Sequence, residues 1–147
     1  GWDQLLLLCA TREGTGNTEK KINSIIESRG LQDRVKLVTD FLDDDVAIAT
    51  LAKCELLVFP YQNTKESASG AVRMGVASGV PIAVSPIPIF DDVNGAIRMR
   101  GGTVDDIVAS ISMLSQKELD DSRQAIVELR DSLQWDEVAK RIQERLK

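Results

Sequence analysis

Two uninterrupted apolar runs, residues 56–59 and 81–84, frame a stretch of small residues and constrain what this 147-residue chain can fold into. A strand with one wet face alternates apolar and polar residues. A run with no polar position must be covered on both faces, the condition of a strand inside a parallel sheet flanked by helices. Further strands are expected at 5–10, 35–39 and 96–99, with the two framing strands extending over 56–61 and 81–85. Helical patterns fall between them at 18–28, 43–53, 67–78 and 104–114, and two more helices, 116–132 and 135–146, finish the chain. Strict alternation of this kind predicts one α/β domain with a parallel sheet of about five strands.

Composition narrows the chemistry. The formal net charge is −5, which argues against a nucleic-acid partner held through its phosphates. Histidine is absent, so no Ser-His-Asp triad, His-paired cysteine nucleophile or HExxH zinc site can be built. The two cysteines, Cys9 and Cys54, read as buried reduced thiols, and no metal site is expected. No apolar run reaches membrane-spanning length. The chain begins at Gly1, without methionine, and meets its first strand almost at once, so it reads as a piece of something longer.

Ligands of parallel sheets bind outside the carboxyl ends of the strands. That singles out the turns at 11–17, 40–43, 62–70 and 86–92. The helix expected after the 56–61 strand opens with Ser67, Ala68, Ser69 and Gly70. Small residues let a ligand approach the backbone, and the N–H groups and dipole of a helix start favour a phosphate or a polarised hydroxyl. Glu66 stands just before them. Its carboxylate would repel a bare phosphate but accept hydrogen bonds from sugar hydroxyls, so the combination suits a sugar phosphate.

The segment ELLVFPYQNTKESASGAVRMGVASGVPIAVSPIPIFDDV resembles the donor-site core of the group-1 retaining glycosyltransferases, which have the two-domain GT-B fold. LQDRVKLVTDFLDDDVAIATLAKCELLVFP and the closing LQWDEVAKRI resemble flanking motifs of the same family, so the resemblance covers nearly the whole chain. It implies a Rossmann-like sheet that is half of a GT-B fold. It also implies a donor domain that binds a nucleotide-sugar without a cofactor or metal, and a parent that transfers the sugar to a polysaccharide or glycolipid acceptor. Glu66 matches the family's donor-sugar glutamate. Ser67, Ala68, Ser69 and Gly70 would present backbone N–H groups to the donor, Arg73 would reach an anion, and Thr39, Asp40 and Phe41 follow a strand where the nucleobase is placed. The family's second, ribose-binding glutamate falls on Met74, which cannot accept ribose hydroxyls usefully. The family's first strand, its basic diphosphate loop and the N-terminal acceptor domain would precede Gly1, so the isolated chain is expected to be inactive. The expected setting is cytoplasmic, or membrane-peripheral in the parent. Lacking the first strand, the chain is expected to pair its 5–10 strand directly with 56–61, or to borrow a strand from a second copy and form a homodimer.

Two other readings compete. TREGTGNT after an apolar strand resembles the flavodoxin phosphate loop, which implies an electron carrier binding flavin mononucleotide. Against it, Glu13 stands where a hydroxyl is expected. Met74 favours a non-catalytic α/β interaction domain derived from a glycosyltransferase. Asp43–Asp45, Asp91–Asp92 and Asp105–Asp106 read as helix caps, and Trp135 as packing for the last helix.

Overall fold

A computed structural model describes residues 2–8, 16–62 and 68–146. Along the chain run β1 (Leu5–Leu8), α1 (Gly16–Ser28), β2 (Val35–Val38), α2 (Asp44–Leu51), β3 (Leu57–Phe59) and α3 (Gly70–Ser78). They are followed by β4 (Ile82–Val84), a 3-10 turn (Pro88–Phe90), β5 (Ile97–Arg98), α4 (Val104–Ser112), α5 (Gln116–Ser132) and α6 (Trp135–Arg145). The fold is α/β, and every strand pair is parallel.

The chain divides into two units, Gly1–Asp43 and Asp44–Lys147. In the first, β1 and β2 pair in register from Leu5 opposite Val35 to Leu8 opposite Val38. The Arg34 guanidinium donates to the carbonyls of Asp3 and Trp2, both at 3.1 Å, and so ties down the chain entering β1. Ile26 of α1 is buried.

The second unit holds the main core. Its sheet runs β3-β4-β5, with Leu57 opposite Ile82 and Ala83 opposite Ile97. All three residues of β4 are buried, as an unbroken apolar run requires of a central strand. Val72 and Val76 of α3, Ile126 of α5, and Val80, Phe90 and Val93 of the connections close over it. Two glycines make the close fits. Gly79 ends α3 in the left-handed region (φ 71°), returning its N–H to the Val76 carbonyl. Gly95 (φ 86°) lies so near α5 that a Cβ there would sit 2.3 Å from the Ala125 Cβ, and the Ser122 hydroxyl donates to its carbonyl at 2.8 Å.

Among the described residues the hydrogen-bonded strand pairs form two sheets, β1-β2 and β3-β4-β5. Two expectations need correction. The third helix starts at Gly70, not at residue 67. Trp135 is 85% exposed rather than packed, and with Ile142 and Leu146 it lines an open apolar face of α6. Asp44 and Asp45 do fall in the first turn of α2, where their charge suits the dipole. Asp106 joins Thr103 in a capping box that starts α4.

Candidate functional site

The carboxyl ends of β3, β4 and β5 continue into Tyr61 and Gln62, into Ser85 and the 3-10 turn, and into Arg100 to Gly102. Three aromatic rings meet at the first two of these. Tyr61 lies 5.3 Å from Phe90 and 6.2 Å from Phe59 between ring centroids, and Phe59 lies 6.5 Å from Phe90. The tilted and edge-on arrangements are those aromatic quadrupoles favour. Gly75 lets α3 sit down on this cluster, since a Cβ there would be 3.1 Å from the Phe59 ring.

The start of α3 is built on the same cluster. Ser69 is the N-cap, in extended conformation and 4% exposed. Its hydroxyl accepts the Val72 N–H at 3.3 Å and donates to the Tyr61 hydroxyl at 3.2 Å. One first-turn N–H is thereby satisfied locally. Those of Gly70 and Ala71 have no acceptor within the helix, as the geometry of any helix start dictates. Across the edge, the Gln62 amide donates to the Gly102 carbonyl at 3.2 Å, tying the segment after β3 to the one after β5.

The 3-10 turn after β4 is held from two sides. Arg73 of α3 is ion-paired with Asp92. Arg98 of β5 donates to the Phe90 carbonyl at 2.7 Å and lies 3.5 Å from the Asp91 carboxylate. Asp91 and Asp92, read from the sequence as helix caps, are therefore arginine partners: they follow a turn instead of preceding a helix. Ser85, 1% exposed, donates its N–H to the Phe59 carbonyl at 3.1 Å.

Of the residues singled out from sequence, Ser69, Gly70 and Arg73 come together at the start of α3, with Ala68 exposed beside the cap. Glu66 and Ser67 lie outside the described residues, as do Cys9 and residues 11–15 of the flavodoxin-like loop. Thr39, Asp40 and Phe41 follow β2 in the first unit, with the Phe41 side chain 82% exposed. Met74 is partly buried on α3. Among the described residues no three His, Cys, Asp or Glu side chains gather as metal ligands. Sequence reasoning passed over the Tyr61 side chain; Gln62 and Asp92 lie in turns it singled out, Asp92 as a helix cap. For Tyr61 a signal existed, a lone aromatic one residue past a strand-ending proline.

No protein-family profile matches the chain, and no curated protein matches it. Solved structures do. Sucrose-phosphate synthase from Thermosynechococcus elongatus matches with a TM-score of 0.69 at 15% identity over 97% of this chain. Anabaena HepE, in complex with UDP and glucose, matches with a TM-score of 0.72 at 16% identity, also over 97%. Both are GT-B glycosyltransferases. The fold of this chain is theirs. It corresponds to one part of the glycosyltransferase fold, spanning 37% and 40% of those two chains.

Proposed function

We propose that this chain is the donor-binding part of a retaining glycosyltransferase that takes a sugar from a nucleotide-sugar to a polysaccharide or glycolipid acceptor. The observation that carries the reading is the fold shared over 97% of the chain with glycosyltransferase structures, one of them solved with UDP and glucose. The acceptor is assigned to protein outside this chain. Glu66 accepts the donor sugar's hydroxyls, and Ser67, Ala68, Ser69 and Gly70 carry the backbone that faces sugar or diphosphate. The Tyr61–Ser69 contact supports this by holding the first turn of α3 in one orientation. Thr39, Asp40 and Phe41 are assigned to the base. No metal or cofactor is needed for these contacts.

Titration of the isotope-labelled chain with UDP-, ADP- and GDP-glucose tests the reading. Saturable amide shifts at Gly70 to Val72 are expected with one of them, and none with flavin mononucleotide. No saturable change with any of the three up to millimolar concentration would overturn it. In a longer protein that contains the chain and transfers sugar, Glu66→Gln removes a charge-assisted hydrogen bond of about 1.5–3 kcal/mol and lowers the rate roughly ten- to a hundredfold. Met74 supports a second reading, a non-catalytic interaction domain, because a thioether cannot replace a ribose-binding carboxylate. Failure of all three titrations is the outcome that reading expects.

A further inference from the structure

The segment after β4 lies on the edge where parallel sheets bind ligands, and what holds it there is a pair of clasps. Arg73 reaches it from α3 and takes Asp92; Arg98 reaches it from β5 and takes Asp91 together with the Phe90 carbonyl. Two guanidinium charges meet two carboxylates, so the four groups sum to zero. A cation already matched by a carboxylate offers a diphosphate far less than a free one does. The clasped turn is otherwise secured by Ile89 and Phe90, both buried, and by the N–H groups of Phe90, Asp91 and Val93, which bond to Ile87, Pro88 and Phe90.

We propose that Arg73 is a positioning residue: it acts through Asp92 to hold the 3-10 turn at the carboxyl end of β4, and it does not itself contact the donor's phosphates. The glycosyltransferase reading enters only through the ligand arm of the test. The exchange arm stands without it.

The discriminating feature is the sign of the Asp92 effect. If Arg73 acts through Asp92, removing either partner loosens the same turn. If Arg73 is a direct anion contact, removing Asp92 frees the guanidinium and strengthens phosphate binding. The variants are Arg73→Ala, Asp92→Ala and the charge-exchanged pair Arg73→Asp with Asp92→Arg, made in the 147-residue chain and compared by hydrogen exchange and by titration with UDP-glucose. Both partners are substantially exposed, with side chains 37% and 59% accessible, so all three variants should fold, and circular dichroism checks that they do. Each single variant is expected to speed exchange at the Asp91 and Val93 amides roughly two- to fivefold, the range an exposed ion pair supports, and the exchanged pair to restore it. Both singles should weaken UDP-glucose binding to a similar degree. Unchanged exchange in either single variant overturns the proposal, as does tighter UDP-glucose binding in Asp92→Ala alongside weaker binding in Arg73→Ala. If UDP-glucose does not bind the unaltered chain, the ligand arm uses whichever of ADP- and GDP-glucose does; if none of the three binds, the donor reading is what fails, and the exchange result decides the positioning role.

Discussion

Ser69 shows how much one side chain can decide. It caps α3 and holds Tyr61, and with only 4% of its surface exposed it has no water to replace a lost partner. Ser69→Ala should therefore cost about 1–2 kcal/mol, the upper part of the range for an N-cap, read from the denaturant midpoint; Ser69→Thr should recover most of it. Gly75 presents a balance of two effects. Alanine would gain up to about 1 kcal/mol of helix propensity, but its Cβ would press on a Phe59 ring boxed in by Tyr61 and Phe90 and on Ile82 at 3.3 Å. Because the ring has little room to move, Gly75→Ala should come out destabilising by about 1 kcal/mol, and a rise in melting temperature would show that the cluster yields. Cys54 is a simpler case. Partial burial raises its thiol above the ordinary value of 9.0, so in a Cys9→Ser background it should alkylate more slowly in the folded chain than in urea at neutral pH.

Among the elements, α5 and α3 differ in where their start is encoded. The 116–132 helix was legible to the residue because Ser115 and Glu118 form a capping box within four residues of sequence. For α3 the run of small residues offered several starts. The hydroxyl of the cap is held by Tyr61, eight residues upstream, a contact that no local pattern could locate. Asp91 and Asp92 went the same way: adjacent carboxylates look like a cap until arginines seven and nineteen residues away are brought to them. Strand positions were readable for the opposite reason, since an apolar run such as Ile82–Val84 states its own burial. Dependence on a local carboxylate also makes α5 sensitive to acid. Glu118 accepts from the Ser115 hydroxyl at 2.7 Å and from its N–H at 2.8 Å, and these bonds hold its carboxyl below the usual 4.5. A depressed carboxyl stabilises the fold above its unfolded value and loses that contribution as pH falls through the lower, folded one. Protection at the first turn of α5, measured against the intrinsic exchange rate at each pH, should therefore stay constant down to about pH 4.5 and fall below it, and Glu118→Gln should remove the dependence.

At the scale of the whole molecule, the second unit contains the three-stranded sheet and the main core cluster, while the described residues of the first form a two-stranded sheet and one helix. A two-stranded sheet has little intrinsic stability, and local opening follows buried contact. Native-state exchange should accordingly be slowest at Ile82 to Val84 and markedly faster throughout β1 and β2; equal protection in both sheets would contradict this. No helix among the described residues is long and apolar enough to cross a membrane. Finally, the chain contains one tyrosine, and it is the ring at which β3, the 3-10 turn and the cap of α3 meet. Selective carbon-13 labelling of tyrosine would give a spectrum with a single aromatic spin system and no assignment problem, so a screen of candidate sugars or nucleotides could be read directly as the displacement of one peak.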